Sequence, residues 1–483
     1  MIECSLMLLK AALLLASAAL YAQDVTVDSG LADYQVLQRD NQGRASARIA
    51  GAAAGASSVA IRVTNQAGLV LETSAAVTAG KFTANVAGIP TGGPYTVEVK
   101  AGARSAKIRE VLVGDLWLLA GQSNMEGVGD LVDVEQPNML VHSFDQADNW
   151  GIATEPLHNL PGAADRVHWR QNANKELERL TGDALQKFIA NRKKGAGLGL
   201  PFAVQMVRRT GIPVGLLPCA HGGTSMDQWS PDLRDKGGDS LYGATLRRFK
   251  LAGGRVTGIL WYQGESDASP KASVVFAEKF EKLIAAFRAD FGQPDLPFYY
   301  VQIGRHVANT NQAEWNKVQD EQRKAELKIA RVGMVTAIDS ILDDGIHVNT
   351  QDQKRIGRRM ADLAVHDVFP NLTQFAGVKR GPRPENVALQ GSVIRIRFSG
   401  VNGRLRAPGR IAGFSIHNAA GEAVPLIFKT LVDPENGSGV LLYIGGKLPE
   451  GATLRYGAGR DPYCNLTDEA DMGVPVFGPL PIQ

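Results

Sequence analysis

The sequence predicts an α/β protein with a mostly parallel sheet, flanked on each side by a β-rich region. Three observations predict it. Between about Glu110 and Pro370, apolar runs bounded by Gly or Pro alternate with segments of helical period, the pattern of strands buried on both faces and joined through helices. Before that stretch, residues 59–64 and 95–100 alternate apolar and polar, as half-buried strands do. After it, from about Gln374, residues 393–398 and 440–444 return to β patterning.

Taken in order, the chain opens with Lys10 ahead of the apolar run 11–20, and small residues lead to Ala22-Gln23-Asp24. This reads as an export signal over 1–22, cleaved after Ala22 and too short to span a bilayer. An N-terminal β domain is expected over 24–109. Asn65-Gln66-Ala67-Gly68 and Gly92-Gly93-Pro94 supply its turns, and short strands at such spacing suggest a small sandwich. The α/β region, 110–372, has its first strand in Leu116-Trp117-Leu118-Leu119-Ala120. The stretch 128–199 is polar and longer than an ordinary βα connection. It is expected either to overhang the site or to be a surface excursion, with Asn191-Arg192-Lys193-Lys194 as a solvated helix end. Residues 214–217, 259–260 and 296–303 are the next buried strands. Phe276, Phe280, Leu283, Ile284 and Phe287 fall on one helical face, a core stripe. A C-terminal β domain completes the chain over 373–483.

Composition excludes several classes. A chain of 483 residues exceeds one hydrophobic core. A net charge of +3 with no long basic block gives no electrostatic case for nucleic acid or membrane binding. Cys4, Cys219 and Cys464 are the three cysteines. Cys4 leaves with the signal; the other two could pair in an oxidising compartment, but two buried free thiols are the favoured expectation. No Cys or His spacing suits a metal, and no cofactor is expected.

The chemistry concentrates in four segments that follow or neighbour the predicted strands. They are Gly121-Gln122-Ser123-Asn124-Met125-Glu126-Gly127, His221-Gly222-Gly223-Thr224-Ser225, Trp261-Tyr262-Gln263-Gly264-Glu265-Ser266-Asp267 and Asp343-Asp344-Gly345-Ile346-His347. Strand ends of one parallel sheet converge on one rim. Ser123 is a weak nucleophile that needs a base, and His347 is the candidate. Asp344, three residues earlier across Gly345, would orient the imidazole, with Asp343 as the competing orienter. Oxyanion donors would be the Ser123 N–H, an N–H from Gly222-Gly223 and the Gln263 amide. Gln122, Asn124, Gly222, Thr224 and Glu265 are the candidate substrate contacts. Glu265 could instead orient the Gln263 loop or form a structural ion pair. His221 could line the cleft, and His306 or Arg305 could touch substrate.

These segments resemble those of the SGNH-hydrolase branch that holds the sialate O-acetylesterases and plant-type carbohydrate acetylesterases. Glu155-Pro156-Leu157-His158, residues 197–203, Gln228-Trp229 and Leu241-Tyr242 occur in a similar order, and Asp-Gly-Ile-His is nearer the plant-type form. The resemblance implies an SGNH-type α/β/α sandwich. It also implies a serine esterase that removes O-acetyl groups from sugars through Ser123, His347, Asp344, Gln263 and Gly223. The expected partner is an acetylated carbohydrate, sialic acid or xylan among them, and the expected location is secreted or periplasmic. Activity is expected to fall as the base protonates below neutral pH. A non-catalytic sugar-binding protein is the rival reading; a complete Ser, His, Asp and Gln set counts against it.

Overall fold

The computed structural model describes residues 25–307, 313–369 and 377–483. The segment read as an export signal, Cys4 and the boundary at 372/373 lie outside the described residues. The chain divides into two compact units, the first ending at Gly114 and the second running from Asp115 to Gln483.

The first unit is antiparallel β structure. Ser58–Asn65 pairs with Gly68–Thr78 on one side and Gly92–Ala101 on the other, and Arg44–Ala52 pairs with Lys81–Pro90. The inward residues Val59, Ile61, Val63, Val97 and Val99 join one apolar core. Their two-residue period is the alternation seen in the sequence.

The second unit is built on a six-stranded parallel sheet. Its strands are β1 (Arg104–Gly121, whose last part belongs here), β2 (Val141–Phe144), β3 (Val214–Pro218), β4 (Gly258–Tyr262), β5 (Phe298–Gln302) and β6 (Val332–Thr336). They lie in the order β2-β3-β1-β4-β5-β6, and Trp150–Ile152 adds an antiparallel edge to β2. All five residues of β3, β4, β5 and β6 are buried, which explains their continuous apolar runs.

Helices cover both faces. On one, Phe202 of α1 (Gly199–Thr210) meets Trp117 of β1 edge-on, and Trp117 also contacts Tyr299 of β5. The helix α5 (Thr350–Val368) packs against α1 and the same side of β5 and β6. On the other face, Phe280 of α3 (Ala272–Asp290) lies against Trp261, Phe298 and Tyr300. Phe276, Phe280, Leu283, Ile284 and Phe287 are the buried stripe of α3, as their spacing predicts. The helices α2 (Leu241–Leu251) and α4 (Ala313–Lys328) complete the set.

The C-terminal residues form two four-stranded antiparallel sheets over a core that includes Ile394, Ile396, Val440, Leu442 and Leu454. Ile338, from the loop after β6, belongs to that same core. Cys219 and Cys464 are buried free thiols, and burial pushes both up. No helix among the described residues is long and apolar enough to cross a membrane. Nor do they contain a group of three or more His, Cys, Asp or Glu arranged to hold a metal ion.

Candidate active site

β1 ends at Gly121, where φ is +135° and an added Cβ would lie 2.2 Å from the Tyr262 carbonyl oxygen. Only glycine fits there, so the chain turns sharply beside the end of β4. The single helical turn Ser123–Glu126 follows. Ser123 is its first residue, and its N–H has no intrahelical acceptor.

The loop after β6 brings His347 to this turn. His347 Nε2 lies 3.0 Å from Ser123 Oγ, and His347 Nδ1 lies 2.7 Å from Asp344 Oδ2. Asp344 Oδ1 accepts the backbone N–H groups of Ile346 and His347. Burial raises the Asp344 carboxyl, but the His347 bond and these two N–H groups outweigh it and hold it down to about 2. The carboxylate is therefore ionised at neutral pH and fixes Nδ1 as a donor. Asp343, the competing orienter, turns elsewhere: its Oδ2 accepts from the Asp130 N–H and faces Lys194.

The glycine loop after β3 stands beside Ser123. An added Cβ on Gly222 would lie 3.0 Å from Glu126 Oε2 and 3.5 Å from Ser123 Cβ, so a side chain there would press on the Glu126 carboxylate beside Ser123. Its N–H is committed to Glu126 Oε2 at 2.8 Å and cannot serve an oxyanion as the loop stands. Gly223 is exposed, with φ +70°, and its N–H has no partner among the described residues. Gln263 is fully buried. Its Nε2 donates to the Thr224 carbonyl and to Asp267 Oδ2, so both amide protons are engaged. An oxyanion role for Gln263 would require one of these bonds to be released.

Four of the expected substrate contacts are buried ties between loops. Gln122, Asn124, Thr224 and Glu265 are at most 8% exposed. Gln122 Oε1 accepts from the Gly264 and Ser266 N–H groups. Thr224 Oγ1 donates to the His221 carbonyl and accepts from Trp229 Nε1. Asn124 Nδ2 donates to Glu265 Oε1 at 2.9 Å and to the Ile346 carbonyl at 3.4 Å. Its Oδ1 accepts the Val348 N–H at 3.0 Å. Asn124 thus grips the chain on both sides of His347. Glu265 orients a loop, but through Asn124 rather than Gln263; its Oε2 is buried with no partner among the described residues.

The stretch 128–199 is not a plain surface excursion. His158 Nε2 accepts the Ala220 N–H. His168 Nδ1 lies 3.1 Å from His221 Nδ1; burial lowers both imidazoles. Arg192, read as part of a solvated helix end, has a side chain only 15% exposed and faces Glu126 at 3.9 Å. It also donates to the carbonyl of His158 and to Asn159. Glu126 escaped sequence reasoning although it lies in the first motif, one helical turn from Ser123. His306 lies tilted against the Trp315 ring, and Arg305 is held by Asp461 and the Ser340 carbonyl.

Ser123, His347 and Asp344 thus stand in one hydrogen-bonded line, an order of groups suited to hydrolysis. Residues 113–366, more than half of the chain, match the family described as carbohydrate esterase, sialic acid-specific acetylesterase, and the chain belongs to that family. It is a carboxylic ester hydrolase, and membership supports deacetylation of carbohydrates. A probable carbohydrate esterase of Arabidopsis thaliana is 26% identical over 257 residues, 51% of this chain and 88% of that protein. The human sialate O-acetylesterase is 22% identical over 341 residues, and the match spans 62% of either chain's length. A carbohydrate acetylesterase from Xanthomonas citri shares the fold, with a TM-score of 0.65 at 23% identity, over 94% of this chain and 99% of that one.

Proposed function

We propose that this chain removes O-acetyl groups from carbohydrates by a Ser-His-Asp mechanism in an SGNH-type α/β/α catalytic domain. Ser123 Oγ attacks the acetyl carbonyl carbon as His347 Nε2 takes its proton. The tetrahedral oxyanion is met by the N–H groups of Ser123 and Gly223. The carbon–oxygen bond to the sugar breaks, and the sugar oxygen leaves with the proton held by His347. Water then attacks the acetyl-enzyme, gives a proton to His347, and releases acetate as Ser123 recovers its hydrogen. Asp344 stays ionised throughout and stabilises the imidazolium.

The observation that carries this reading is the pair of distances, 3.0 Å from Ser123 Oγ to His347 Nε2 and 2.7 Å from His347 Nδ1 to Asp344 Oδ2. The test is Ser123→Ala assayed on p-nitrophenyl acetate and for acetate release from O-acetylated sugars. Loss of turnover by about a thousandfold or more is expected, and unchanged turnover rejects Ser123 as nucleophile. The same reading assigns 110–372 as the catalytic domain between β domains at 24–109 and 373–483. It assigns 1–22 to export and the enzyme to a secreted or periplasmic location, where acetylated glycans are met.

A further inference from the structure

Two of the large apolar side chains that lie exposed, Ile341 at 62% and Tyr463 at 67%, line the same groove. Pro408 and Arg406 also line it, and its cavity volume is about 590 Å³, within the range of small-molecule sites. Exposed apolar side chains scattered singly need no explanation, but two large ones facing one concave space do. Arg355 and its carboxylate partners Asp339 and Asp471 also line it, so charged groups share the groove with the Tyr463 ring.

The groove and the esterase site share one loop. Asp339 and Ile341 leave β6 on the same segment that carries Asp344 and His347. The Ile341 carbonyl accepts the Asn349 N–H at 3.0 Å, closing the base of that segment. The Tyr463 wall is tied to it as well. Asp461 pairs with Arg305 at 2.6 Å, the Arg460 carbonyl accepts the His306 N–H, and the Val307 N–H donates to the Gly345 carbonyl. The groove therefore lies beside the loop that carries Asp344 and His347.

We propose that this groove is a subsite for sugar units of the same acetylated glycan, beyond the unit that carries the ester, with Tyr463 as the stacking platform. The proposal rests on the reading of Ser123, His347 and Asp344 given above. A sugar ring presents C–H groups to an aromatic face and hydroxyls at its edge. The Tyr463 ring beside charged, hydrogen-bonding groups matches both. A concave groove with a charged lining suits a glycan better than a flat protein partner, whose interface would need a larger apolar core.

The experiment uses the full chain with Tyr463→Ala and Tyr463→Trp. The polymer is whichever of acetylated xylan, acetylated glucomannan or O-acetylated sialyl-oligosaccharide the wild type deacetylates fastest. kcat/KM on it is compared with kcat/KM on p-nitrophenyl acetate. The ratio of polymer to small-ester kcat/KM is expected to fall about tenfold in Tyr463→Ala, the scale of one lost aromatic contact, mainly through KM, and to recover in Tyr463→Trp. An unmoved ratio overturns the subsite, as does hydrolysis of the small ester with none of the three polymers attacked. A wild-type dimer in sedimentation that Tyr463→Ala dissociates also overturns it, because the groove is then an interface between copies. Full activity in Ser123→Ala instead overturns the esterase reading beneath it.

Discussion

Asn124 offers the sharpest test of how His347 is held. The chemistry of its partners fixes which end of its amide is which: Nδ2 faces the Glu265 carboxylate and the Ile346 carbonyl, Oδ1 faces the Val348 N–H. Asn124→Asp keeps the shape and the acceptor for Val348 but sets a carboxylate 2.9 Å from Glu265 Oε1. Two charges at that separation repel by about 6 kcal/mol at an effective dielectric of about 20. The pair avoids this by sharing a proton, which costs about 1.4 kcal/mol for every pH unit above an ordinary carboxyl value, or about 5 kcal/mol at pH 8. Glu265 is the natural holder, since burial already pushes its carboxyl up. The sign follows from linkage. A folded-state pKa raised above the unfolded one contributes stability below the unfolded value and loses it as pH rises through the folded value. The melting temperature of the variant should therefore approach wild type near pH 5 and fall steadily behind it toward pH 8. Asn124→Ala orphans the Val348 N–H and takes from Glu265 the side-chain donor that holds its carboxyl down, so it should lose about 1–3 kcal/mol with a gap that also widens as pH rises, less steeply than in Asn124→Asp. Both variants should lose about tenfold to a hundredfold in kcat on p-nitrophenyl acetate, because the base is no longer held on both flanks. Thermal melting at four pH values between 5 and 8 decides the matter. Identical, pH-independent gaps for the two variants would refute the Glu265 contact.

Two further outcomes follow from the ties around Ser123. Glu126→Ala releases the Gly222 N–H and leaves Arg192 without its carboxylate. Turnover should drop about tenfold to a hundredfold as the glycine loop loosens, whereas Glu126→Gln, which keeps an acceptor, should stay within about threefold; steady-state kinetics that leave Glu126→Ala at the wild-type kcat would dismiss the clamp. Loss of water around Glu155 pushes its carboxyl up to about 7, against the Gly197 and Leu157 N–H groups and Arg192, which pull it down. That raised value means stability present below about pH 4 and shed as pH climbs toward 7, so Glu155→Gln should flatten the decline in melting temperature between pH 5 and 8, and an equal slope in both proteins would remove Glu155 as its source.

The framework was legible because burial on both faces leaves a plain mark. Strands β3 to β5 show as apolar runs, and the α3 stripe shows as a 3.6-residue period, since each reports only which side faces the core. The role of 128–199 left no such mark. Arg192 sits in a basic run that reads as solvent-facing, and its burial depends on Glu126, whose carboxylate comes from a different part of the fold. Charge runs are usually solvated. Nothing local distinguishes the arginine that turns inward from the lysines beside it.

The polar residues of the four motifs carry a more general point. Ser123 and His347 are 224 positions apart and meet at 3.0 Å, although each lies in a turn or loop that lacks a long ladder of backbone hydrogen bonds. Such segments must find partners for their backbone groups elsewhere, and short amide and hydroxyl side chains supply them. Gln122 does this for the Gly264 loop, Asn124 for the His347 loop and Gln263 for the Thr224 loop. The same amides would serve equally well as ligands for a sugar hydroxyl, so residue type alone leaves the two roles undecided. What separates them is burial and non-local pairing: Asn124 reaches partners 141, 222 and 224 positions away. In this fold those three amides are committed to tying loops together, and the exposed Tyr463 and Ile341 stand on loops outside the motifs.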